Sequence, residues 1–145
     1  MTRADRLQPV QNIAEEAERR LAQQVAALEK AMRDAETKLV DLERYAGEYQ
    51  SQYAERVARG IGVTELRDYQ AFLARLGEAM RQQRVVVTRA RSECDAGRLR
   101  WQEAAKRVKA LDHVATQWRD EARRAMDRRE QIEIDERAQR PRTQR

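Results

Sequence analysis

The 145-residue sequence has little that breaks or cross-links a backbone: two prolines, five glycines, one cysteine and one histidine. So few breakers argue against a disordered linker, while 38% charged residues and a mean hydropathy of -0.98 argue against an ordinary globular core. Long amphipathic helices satisfy both constraints. The lone Cys94 excludes an internal disulfide, and one Cys with one His cannot complete a four-ligand metal site. The composition therefore assigns no catalytic, cofactor-binding or metal-ligating residue. No uncharged apolar run of about 18 residues exists, and Met1-Thr2-Arg3-Ala4-Asp5 lacks the apolar centre of a signal peptide. The expected compartment is the cytoplasm.

What is present is periodicity. Stepping by three and four residues, one apolar stripe runs through Leu7, Val10, Ala14, Ala17, Leu21, Val25, Leu28, Met32, Ala35, Leu39, Leu42, Ala46, Tyr49, Tyr53 and Val57. A second alternates strictly from Leu66 to Ile132, and seventeen of its twenty positions are apolar. The overall 41% hydrophobic content would place about eight there. A seam that repeats every 3.5 residues faces one direction only if the helix coils against a partner.

Between the stripes lies Arg59-Gly60-Ile61-Gly62-Val63-Thr64. Gly60 suits a helix C-cap and Thr64 an N-cap. An antiparallel hairpin pairs positions whose residue numbers have a constant sum. Tyr53 with Tyr69, Ala35 with Val87, Leu28 with Cys94 and Leu21 with Trp101 all sum to 122. The expected fold is all-α, one antiparallel coiled coil over residues 1–139, with a helix at 6–58, a turn at 59–63 and a longer helix at 64–136. Residues 140–145 are expected to form a flexible tail. At about 1.5 Å per residue the helices reach roughly 80 Å and 110 Å, so the second should overhang from about Arg119, leaving Ala122, Ala125 and Ile132 on an unpaired seam.

Charge is interleaved: residues 1–57 carry a net -2, residues 58–117 a net +5, and residues 118–145 a net +2. Arg123-Arg124 and Arg128-Arg129 lie within a turn of Glu121, Asp127 and Glu130, which fits a solvated helix face with local ion pairs better than a phosphate-binding surface. Tyr45, Tyr49, Tyr53, Tyr69 and Phe72 gather near the loop. Tyr45 and Phe72 fall one position off the seam and are candidate interface anchors. Gln83 and Arg129 interrupt the seam, Gly97 is expected to make room for Trp101, and His113 sits beside the stripe. Gly47 and Gly77 have no specific account in the sequence.

The set Leu42-x2-Tyr45-x2-Glu48-Tyr49, the loop Gly60, and Tyr69-Gln70-x-Phe72-x3-Leu76-x2-Ala79 resembles FliJ, the flagellar export protein family of bacterial type III secretion. The resemblance departs at Lys38 and Gln83. It implies a cytoplasmic, non-enzymatic stalk similar to the central shaft of rotary ATP synthases. Such a stalk engages the ring of the export ATPase FliI, contacts the export gate protein FlhA and handles export chaperones. It would associate peripherally with the membrane through the gate. By this resemblance Leu42, Tyr45, Tyr49, Phe72, Leu76 and Ala79 contact the gate, and no cofactor is implied. The orphan seam and its basic charge make Arg123, Arg124, Arg128 and Arg129 the candidate ATPase contacts. Three other readings compete: a stalk of an injectisome-type secretion system, a generic coiled-coil scaffold and a nucleic-acid-binding helical arm. No nucleic acid is expected as a partner.

Overall fold

A computed structural model describes residues 1–141. Two helices account for almost all of them, α1 over Arg3–Arg59 and α2 over Val63–Gln139, joined by a short turn that makes a helical hairpin. The part of the expected tail that covers residues 142–145 lies outside the described residues.

Local chemistry sets both ends of the turn. Gly60 has a φ of 95°, the left-handed region that a side chain resists, so it terminates α1 at no steric cost. Its amide donates to the Val57 carbonyl at 3.2 Å, and α2 opens with the Leu66 amide donating to the Gly62 carbonyl at 2.9 Å. Thr64, expected as the cap, is already inside α2. Across the turn the Arg56 guanidinium grips Glu65 at 2.6 and 2.8 Å. Charge-assisted bonding to Glu65 holds the Arg56 pKa above its ordinary value.

α1 begins at Arg3, three residues before the expected start at 6, because Thr2 and Asp5 cap it reciprocally. The Asp5 amide donates to Thr2 Oγ1 at 3.1 Å, and the Thr2 amide donates to Asp5 Oδ2 at 3.0 Å. Those bonds hold the Asp5 carboxyl below the usual carboxylate range. Pro9, inside α1, removes one backbone donor from the ladder without ending it.

The hairpin divides into two compact units. In the unit Leu21–Trp101, the core is the seam Ala35, Leu76, Val87 and Cys94, with Cys94 fully buried. Tyr53 and Tyr69 meet as tilted rings at 5.6 Å between centroids, which is the register the stripes require. Gln83 is buried too, but its Nε2 donates to the Ala35 carbonyl at 2.9 Å, so the polar seam position is satisfied and fixes register. Gly97 makes room for Leu28 rather than for Trp101. A Cβ there would fall 2.6 Å from Leu28 Cδ1 and 3.9 Å from Val25 Cγ2. Gly47 meets nothing within 4 Å, and Gly77 faces only the tip of Arg81.

In the unit formed by Met1–Arg20 with Gln102–Arg145, the buried residues are Ala4, Gln11, Ala14 and Ala115. The stripe expected Val10 in the seam; Val10 is exposed and Gln11 is buried instead. The residue at the next position wins because steps of three and four from Ala4 through Leu7 reach Gln11. Its Nε2 also donates to Asp112 Oδ1 at 2.9 Å. Val57, the last position of the first stripe, is likewise exposed, at the end of α1.

Candidate docking surfaces

A two-helix fold has no enclosed interior, so its chemistry lies on its flanks. The two flanks of the Leu21–Trp101 unit differ sharply. One is laced by inter-helix ion pairs at heptad spacing: Glu43 with Arg84 at 3.7 Å, Glu36 with Arg91 at 3.0 Å, and Glu29 with Arg98 at 3.1 Å. The residue numbers of each pair sum to 127, five more than the seam pairs, which puts all three on the same side. Hydrogen bonding to Glu29 raises the Arg98 pKa above its ordinary value. The sequence reading missed this ladder, although opposite charges spaced by seven beside the seam signal it.

The other flank carries aromatic rings. Tyr45 meets Phe72 edge-on at 6.1 Å, their numbers summing to 117, and Tyr49 lies 6.2 Å from Tyr45 and 4.4 Å from Phe72. Tyr69 continues the cluster at 5.2 Å from Tyr49. Arg75 sets its guanidinium 5.9 Å from the Phe72 ring, a cation–π contact the sequence reading did not include. Of the six expected gate-contact residues, Tyr45 is 48% exposed, Leu42, Tyr49, Phe72 and Ala79 are half-buried, and Leu76 is buried. The structure brings Tyr45, Tyr49 and Phe72 into mutual ring contact.

The second expected surface is in the other unit. Because α1 starts at Arg3, pairing extends further along α2 than residue 119. The Arg3 guanidinium sits 4.3 Å over the Trp118 ring and bonds Glu121 at 3.1 Å. Where α1 begins, a groove of about 620 Å³ opens between its first turn and Trp118, Ala122 and Met126. Residues 126–141 are all exposed, Met126, Ile132 and Ile134 among them. Of the four arginines expected to contact the ATPase, Arg123 is tied to Asp120 at 3.5 Å. Arg124, Arg128 and Arg129 are exposed and make no ion pair among the described residues. Beyond Arg129 the charge is mixed: Glu130, Glu133, Asp135 and Glu136 are balanced by Arg137, Arg140, Arg142 and Arg145. His113 is exposed beside Asp112.

Among the described residues, no cluster of three or more His, Cys, Asp and Glu side chains is placed to hold a metal ion. No helix there is long and apolar enough to cross a membrane. Together the paired helices define a helical hairpin with an aromatic flank and, in the other unit, an exposed end of α2. The profile of the flagellar FliJ protein family matches residues 3–144, nearly the whole chain. The chain belongs to that family, membership of which makes it a component of the flagellar export apparatus. No curated protein and no solved structure matched it.

Proposed function

We propose that this protein acts as a central stalk of the flagellar export apparatus. Its uncovered α2 end engages and promotes assembly of the export ATPase ring, while its aromatic flank binds the export gate and its hairpin hands over chaperones. The protein is then held at the inner face of the membrane through the gate. The observation that carries the reading is the exposed run from Met126 onward. A helix that keeps Met126, Ile132 and Ile134 in water while three neighbouring arginines lack ion pairs is poised to gain apolar burial and charge partners together. The second half of the reading rests on Tyr45 and Phe72, adjacent rings on a flank without inter-helix ion pairs among the described residues.

Charge reversal at Arg124, Arg128 and Arg129 tests the first half. Stimulation of the purified export ATPase should fall to the basal level, while the circular dichroism melt stays that of the parent chain. Undiminished stimulation by a folded variant overturns the assignment of those arginines.

A further inference from the structure

The aromatic flank continues well beyond its rings. Two heptads along from Phe72 on α2 come Ala79 and Val86, and two heptads back from Tyr45 on α1 come Lys38 and Ala31. Each facing pair, Tyr45 with Phe72, Lys38 with Ala79 and Ala31 with Val86, has residue numbers summing to 117. All three therefore share the flank opposite the ion-pair ladder. Val86 is 48% exposed, and Ala31 is exposed. Where the opposite flank has three inter-helix salt bridges, this one has none between the helices among the described residues, so a strip about 21 Å long, or 14 helical residues, lies along it.

Its two rims differ in charge. On α2, Arg75 stands three residues after Phe72, and Arg89 stands three residues after Val86. Three residues along a helix is the spacing of same-face neighbours, and the Arg75 contact with Phe72 shows it. On α1 the equivalent neighbours of Ala31, Lys38 and Tyr45 are Asp34, Asp41 and Glu48. Arg75, Arg89, Asp34 and Glu48 are exposed and form no ion pair among the described residues; Asp41 is bonded only to Arg44 on its own helix, at 3.3 Å.

We infer that this flank takes one amphipathic helix of a partner protein as a third helix of the bundle. That helix lays an apolar stripe over Phe72, Ala79, Val86 and Ala31, with an acidic edge toward Arg75 and Arg89 and a basic edge toward Asp34, Asp41 and Glu48. The occupant is a helix because the floor repeats every seven residues, the period of a coiled-coil seam, and because only a helix enters an apolar strip with its backbone groups already paired. The opposed rims set its direction. Reversing an amphipathic helix on its apolar face exchanges its edges, so only one direction places acid against arginine.

This inference rests on the reading of Tyr45 and Phe72 as a docking patch, and the test separates the two. The full chain is titrated with the purified cytoplasmic part of the export gate protein, at low and at high salt. Three double variants with parental helicity and melting are compared: Y45A/F72A, V86E/A31E and R75E/R89E. Each should bind at least tenfold more weakly, and the R75E/R89E difference should shrink in high salt. Should Y45A/F72A alone lose affinity, the docking patch stands and the extended three-helix groove is overturned. Should Y45A/F72A bind like the parent, the docking patch and the groove fall together. R75E/R89E changes only exposed side chains, so it keeps the test decisive if V86E/A31E unfolds.

Discussion

Substituting the three glycines inside the helices should separate helix propensity from inter-helix packing. Gly to Ala in a helix interior stabilises by about 1 kcal/mol. At Gly47 nothing lies within 4 Å of a new Cβ, so Gly47→Ala should realise that gain in full. At Gly97 the same methyl falls 2.6 Å from Leu28 Cδ1. Overpacking of that kind costs about 1–3 kcal/mol. The clash outweighs the propensity gain, and Gly97→Ala should destabilise by up to about 2 kcal/mol. In a chain of this length each kcal/mol moves Tm by about 2–4 °C. Thermal melts followed by circular dichroism should therefore rank G47A above the parent and the parent above G97A. A double-mutant cycle locates the cause: in a Leu28→Ala background the clash is gone, and Gly97→Ala should become stabilising by about 1 kcal/mol. If G97A melts as high as G47A, the close approach of Gly97 to Leu28 is refuted.

Reversing Glu29, Glu36 and Glu43 to arginine should lower stability at low salt. Adding the reverse change at Arg98, Arg91 and Arg84 should restore most of it, because the opposed charges are back in place with their order exchanged; a melt for the six-fold swap no higher than for the triple variant would contradict the ladder. Cys94, fully buried, should react with a thiol reagent only as fast as the hairpin opens, and labelling at the rate of an unfolded peptide would contradict its seam position. Arg81 and Gln82 hold the Glu78 carboxyl below its ordinary 4.5, as Thr2 holds Asp5 below 3.8. Depressed carboxylates contribute stability present above the unfolded pKa and lost as pH falls through the folded value. Helicity should thus decline on the acid side below about pH 4, less so in E78Q/D5N. A profile unchanged by those substitutions would remove the assignment.

The hairpin was legible because seam spacing is a long-range property: many positions vote, and the two glycines of the turn mark where the chain reverses. Single positions carried less. Val10 is the better hydrophobe, yet Gln11 is buried, because the phase set by Ala4 and the bond to Asp112 outweigh one apolar side chain. The start of α1 was missed since Thr2 and Asp5 act through capping, which hydrophobic periodicity does not register. That earlier start also shortens the uncovered part of α2, bringing Arg3 onto Trp118 and Glu121. The aromatic cluster could be located from sequence, but its sidedness could not. Only the register of both helices together reveals that glutamate–arginine pairs close one flank while Tyr45, Phe72 and Val86 remain on the other.

That sidedness is the central claim, and it follows from register alone. Spin labels on Ala31 paired in turn with Ala79, Val86, Glu93 and Arg100 of the same chain test it most directly. The account predicts the shortest separation for Ala31 with Val86, with distances lengthening on both sides. A minimum at Ala79 or Glu93 would shift the hairpin by a heptad and dissolve both the charged ladder and the open apolar strip.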